Sequence, residues 1–139
     1  MFVEIAVFAD YATTAVDGKL VVGGIFNVLF ASAVPLKVPA LTMAVRIAAD
    51  SGEPRDHVLT IRMAAPSELE GQRLLEVPFS LPEESSVPLA PPAAQFVVTL
   101  QALVFEHEGR YAFDLLVDGK YLRTATLYVA PRPDESKDA

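Results

Sequence analysis

The chain has 139 residues, no cysteine, and a formal net charge of −7 from 18 acidic and 11 basic residues. Lack of cysteine excludes thiolate catalysis, disulfide staples and Cys-ligated metal or iron–sulfur centres. The acidic balance, with Lys and Arg scattered along the chain, excludes the basic stripe that a nucleic-acid partner requires, so none is expected.

Hydrophobic residues make up 52% of the chain, which raises the question of a membrane. The uncharged run Leu20 to Leu36 holds Gly23, Gly24, Asn27, Ser32 and Pro35. A second, Ser85 to Phe105, holds Pro88, Pro91, Pro92, Thr99 and Gln101. Both fit buried strands better than a spanning helix, and no membrane association is expected. The opening Met-Phe-Val-Glu-Ile lacks the basic stretch of a secretory signal, so the expected location is the cytoplasm.

In chain order, the dominant hydrophobic period is two, carried by β-branched and aromatic residues, and eight segments read as strands. Phe2 to Ala9 places Val3, Ile5 and Val7 on one face, opposite Glu4. A turn from Asp10 to Gly18 leads into Lys19 to Phe30. Leu41 to Ala49 turns Leu41, Met43, Val45 and Ile47 inward and Arg46 outward. After Gly-Pro turn chemistry at Ser51 to Arg55, His57 to Ala65 sets Leu59, Ile61 and Met63 against Thr60 and Arg62. Arg73 to Leu81 carries Pro78, which suits an edge strand because the missing N–H is not needed there.

Pro82 to Ala94 has four prolines before Ala93 and reads as a long connection crossing between sheets. Phe96 to Phe105, Arg110 to Val117 and Tyr121 to Val129 follow. Asp118-Gly119 is a two-residue hairpin signal between the last two. Simple counting from that turn pairs Leu115 with Leu122 and Asp114 with Arg123, the latter as a register-setting charge pair. The expected fold is an all-β, two-sheet antiparallel sandwich of about eight strands, immunoglobulin-like or a related Greek key. One domain covers residues 1–130 and a polar tail 131–139.

Chemistry is sparse. The two histidines, His57 and His107, both read as surface residues near turns. No nucleophile elbow, phosphate-binding glycine loop or His-Glu-x-x-His pattern is present. The expectation is therefore a protein that is not an enzyme and has no cofactor.

Two weaker signals remain. Alternate loops of an antiparallel sandwich gather at one end, which would bring Asp10, Asp17, Asp50 and Asp118 together with Glu53, Asp56, Glu83 and Glu84. Such an oxygen-rich end suits a calcium ion or a small ligand, with those four aspartates as the metal candidates. The other signal is apolar character on both faces. Leu20, Val22, Phe26, Val28 and Phe30 are matched by Val21, Ile25 and Leu29, and Leu103 and Phe105 break an outer face bearing Thr99 and Gln101. A second surface must cover such residues, so Leu29, Leu103 and Phe105 are the expected contacts for a protein partner or for a second copy in a homo-oligomer.

The chain resembles a family of uncharacterised bacterial proteins known as a domain of unknown function. The resemblance rests on Ala9-Asp10-Tyr11-Ala12, Gly18-Lys19-Leu20, Gly24-Ile25-Phe26, on Gly109, Tyr111 and Phe113, and on Val117-Asp118-Gly119. It implies a bacterial stand-alone β domain and names no catalytic residue. Asp10 and Tyr11, an acid and a phenol at the mouth of the expected first loop, complete the set of partner-contact candidates. The reading is a non-catalytic interaction or assembly module, with a cation- or ligand-binding sandwich as the alternative.

Overall fold

The computed structural model describes residues 1–82 and 90–133, so Glu83 and Glu84 and most of the expected tail lie outside the described residues. Among the described residues nine strands form: β1 (Phe2–Thr14), β2 (Leu20–Phe26), β3 (Val28–Ala31), β4 (Leu36–Ala48), β5 (Asp56–Ala64), β6 (Gln72–Ser80), β7 (Ala93–Phe105), β8 (Gly109–Val117) and β9 (Lys120–Pro131). They make two sheets, ordered β2-β1-β4-β7 and β3-β9-β8-β5-β6, packed as a β-sandwich over one core. All strand pairs are antiparallel except β3 and β9, which run parallel.

The expected strand from Lys19 to Phe30 is two strands, because the chain leaves one sheet at Asn27 and joins the other. Asn27 is held at that crossing by the N–H of Tyr128, which donates to its carbonyl at 2.8 Å. The expected edge strand is found where Pro78 placed it, since β6 ends the five-stranded sheet. β6 and β7, the strands on either side of the proline-rich stretch, lie in different sheets, and most of that stretch falls outside the described residues.

Period-two burial holds through the middle of the core. Met43, Val45, Ile47, Leu59 and Ile61 are all fully buried. Each such side chain contributes roughly 1.5–3 kcal/mol by leaving water. Ring packing reinforces this: Phe8 meets Phe113 edge-on at 4.9 Å, and Phe105 meets Tyr111 at 4.8 Å.

Three local irregularities reverse the inward and outward faces that strict alternation predicts. In β1 the register slips between Val3 and Ile5, so Val3, Ala6 and Phe8 face the core, while Ile5 and Val7 share the opposite face. In β9 a bulge at Leu122 pairs Leu115 with Arg123 and Asp114 with Thr124, replacing the expected pairs. Thr124 Oγ1 donates to Asp114 at 2.6 Å, and Arg123 reaches across to the carbonyls of Val3 and Glu4 on the free edge of β1.

The third reversal lies in β7, where Ala102 takes a left-handed conformation at φ 55°. Gln101 and Ala102 are both exposed, and the inward set passes from Val98 and Leu100 to Leu103 and Phe105. The facing strand does the same at Pro39 and Ala40, so the register between β4 and β7 survives the change. Leu103 is 6% exposed and Phe105 0%, which corrects their assignment as outward contacts: both belong to the core.

Beyond Ala9, β1 leaves β4 and pairs only with β2. Gln95 on the outer face of β7 accepts from Arg46 at 2.6 Å and donates to the Gly18 carbonyl at 2.8 Å; Arg46 also donates to Glu4 at 2.8 Å. Glu4 and Gly18 would stand roughly 45 Å apart in a straight strand at about 3.3 Å per residue. The β1–β2 hairpin is therefore folded back over the outer face of the four-stranded sheet. That explains why Ala9 and Ala44, which point away from the core, are 2% and 0% exposed. Part of the two-sided apolar surface is covered by the chain's own hairpin.

Candidate interaction site

The residues singled out in the sequence fall into two regions. At one, Asp118 and Gly119 form the β8–β9 turn with φ of 51° and 80°, the paired positive angles a tight hairpin requires. That turn docks on the start of β5. Asp118 N–H donates to the Val58 carbonyl at 2.9 Å, and Val58 N–H returns a bond to Asp118 Oδ1 at 2.9 Å. His57 is buried rather than exposed, at 6%, with Nδ1 2.6 Å from Asp118 Oδ2, Nε2 2.6 Å from the Pro54 carbonyl and its ring stacked on Phe79.

A carbonyl only accepts, so Nε2 carries a proton, and Nδ1 faces a carboxylate. Burial is the largest single influence on His57 and opposes its charge. The bonds to Asp118 and Pro54, with the nearby Asp118 and Glu53 charges, outweigh it and raise the pKa above the ordinary 6.5. The bond from His57 does the most to lower the pKa of Asp118, with Val58 N–H assisting and burial opposing.

Ser80, His57 and Asp118 line one hollow, the residue types of an acyl-transfer triad. Their bonds run elsewhere. Ser80 Oγ donates to Asp56 at 2.7 Å, and both imidazole nitrogens are occupied, so no lone pair is directed at a hydroxyl. This end is a polar clasp between β5 and the last hairpin.

The four metal candidates do not converge. Asp10 sits inside β1 instead of a loop, Asp17 holds Lys19 at 3.4 Å, Asp50 receives the Met1 amine at 2.6 Å, and Asp118 is bound to His57. Among the described residues no group of three His, Asp or Glu side chains has the arrangement of a metal site. Among the described residues, Asp17, Asp50 and Asp118 are each locally engaged, and Asp10 stands apart from them inside β1.

The second region is a shallow groove where the chain crosses from β2 to β3. Its walls are Ile25, Phe26, Val28, Leu29 and Phe30, with Asp10 and Gly24 at one side. Gly24 breaks the β1–β2 ladder with φ +70°, between the pairs Ala9–Ile25 and Tyr11–Gly23. A Cβ there would lie 2.9 Å from Asp10 Cγ, so only glycine lets the carboxyl fold over the strand. Ile25 is 64% exposed, Phe30 52% and Tyr11 58%, whereas Leu29 is half-buried against the core. Asp10 has no cationic partner among the described residues.

The groove thus unites Asp10 and Leu29, and leaves out Leu103 and Phe105, which are core, and Tyr11, which lies over Gly23 on the other face of β1. It adds Ile25 and Phe30, which the sequence marked as apolar without marking them as exposed. The signal that points to the place is Gly23-Gly24 inside a strand pattern, which announces a close backbone approach. At about 310 Å³ the groove has room for one or two side chains, the low end for a small-molecule site.

No helix among the described residues is long and apolar enough to cross a membrane. No curated protein and no solved structure matches the chain. The sequence pattern of a family of unknown function does match it, over residues 4–130, and the chain belongs to that family, DUF6941.

Proposed function

We propose that the protein is a non-catalytic interaction module that binds another protein through the groove at the β2–β3 crossing. The observation that carries this reading is the pairing of two exposed apolar side chains, Ile25 and Phe30, with the carboxylate of Asp10, which has no cationic partner among the described residues, in one concavity. Exposed apolar residues scattered singly need no explanation, but apolar residues that share a groove with a carboxylate at its side mark a contact surface. The partner that fits is a segment with an apolar anchor followed by Lys or Arg. The anchor fills the space between Ile25 and Phe30, and the cation meets Asp10. A net charge of −7 favours the same kind of partner by attraction at a distance.

The test is a photo-crosslinking residue placed at position 25 in the living host, with one at position 58 as control, since Val58 is 38% exposed at the clasp end. A single covalent adduct formed from position 25 and absent from position 58 is expected. Equal adducts from both, or none from position 25, would reject the groove as the contact.

A further inference from the structure

We infer that the outer edge of β7, which has no neighbouring strand among the described residues, pairs with β7 of a second copy, joining two four-stranded sheets into one eight-stranded sheet across a two-fold axis. This surface is separate from the groove.

Among the described residues the terminal strands of the two sheets, β2, β7, β3 and β6, differ in how they are protected. An edge strand offers unpaired N–H and C=O groups to any strand that approaches, and proteins blunt such edges with charge, proline, bulges or shortness. The β6 edge carries Arg73, Glu76 and Pro78. The β3 edge is four residues long. The β2 edge is interrupted by Gly24 at φ +70°. β7 has the sequence Ala-Ala-Gln-Phe-Val-Val-Thr-Leu-Gln-Ala-Leu-Val-Phe, with neither a charge nor a proline, and its regular edge runs from Ala93 to Gln101, ahead of the left-handed Ala102. Its outward side chains include Val97, 40% exposed, and the exposed Thr99 and Gln101.

Charge selects the occupant. Two copies that each carry −7 repel across most surfaces, because carboxylates would face carboxylates. Antiparallel pairing of β7 with itself brings only neutral residues opposite one another, so the edge accepts a second copy with no like-charge pair at the seam. It offers nothing to the cationic segment that suits Asp10.

Ala102 also fixes the register. Its left-handed conformation ends the regular edge, leaving Ala93 to Gln101 as the straight portion. The two-fold that pairs this stretch with itself passes through Val97, setting Val97 against Val97 and Gln95 against Thr99. Opposite residues of an antiparallel pair lie about 4.5–5.5 Å apart at Cα, within disulfide reach.

A chain without cysteine makes the test clean. Light scattering of the full chain is expected to give twice the 15.0 kDa monomer mass at micromolar concentration. Val97→Cys should oxidise to a covalent dimer, and Val104→Cys, equally exposed but beyond Ala102, should not. A Val97→Lys, Thr99→Lys double variant should be a folded monomer by circular dichroism, whereas Phe30→Lys should leave the dimer mass unchanged. A 15.0 kDa mass at every concentration, a dimer that survives both lysines, or equal crosslinking from positions 97 and 104 would overturn the proposal. If the double variant does not fold, the two cysteine variants decide alone.

Discussion

The clasp at His57 and the groove at Asp10 each set a carboxylate against apolar neighbours, and they differ in what the carboxylate has to bind. Asp118 is satisfied from within: imidazole on one oxygen, backbone N–H on the other, with Phe79 stacked behind the histidine. Asp10 has no charged partner among the described residues, and its apolar neighbours Ile25 and Phe30 face outward. The first arrangement spends its polar groups on holding two strands and a turn together. The second leaves both its charge and its apolar surface available. A titratable pair with short bonds is here the structural feature, and the unpaired acid beside exposed apolar residues is the functional candidate.

Substitutions separate the two. His57→Ala should cost the most, about 2–3 kcal/mol in urea unfolding, because it leaves Asp118 Oδ2 and the Pro54 carbonyl without their donor. Partner capture should be unchanged. Gly24→Ala should follow at about 1–2 kcal/mol, since the residue must hold a positive φ and its methyl displaces Asp10. It should weaken partner capture as well, which separates it from the clasp variant.

The clasp also predicts a pH profile. The His57 pKa is raised above 6.5, so its contribution is complete below pH 6.5 and is lost as pH rises through the folded value. The Asp118 pKa is lowered below 3.8, so its contribution is complete above pH 3.8 and is lost as pH falls through the folded value. Stability from the pair should therefore be greatest between those limits, and His57→Gln should remove the alkaline decline in thermal unfolding. Smallest of all in stability, Phe30→Lys should stay within about 0.5 kcal/mol of the parent while abolishing partner capture.

The period-two pattern made the core legible where alternation runs unbroken, as at Met43, Val45 and Ile47, or at Leu59 and Ile61. The Asp118-Gly119 turn was legible because few residue pairs accept two positive φ angles. What alternation could not supply is the place where it fails. Ala102 has no composition signal for a left-handed conformation, and its single step moves Leu103 and Phe105 from the surface to the core. His57 was unreadable for another reason, since its partner Asp118 lies 61 positions away and meets it only through the register of β5 with β8. Of the site, Asp10 and Leu29 were visible in the sequence, whereas Tyr11, singled out with Asp10, falls outside the groove. The union of Asp10 and Leu29 with Ile25 and Phe30 depends on the sheet change at Asn27, which only the fold displays.

The most direct measurement is a paired affinity purification from the native host, using the tagged wild-type chain and the Phe30→Lys variant, each confirmed as folded, with stoichiometry read by quantitative mass spectrometry. The groove account predicts one protein co-eluting near stoichiometric amount with the wild type and at least tenfold depleted with the variant. The same partner recovered equally by both chains would contradict it.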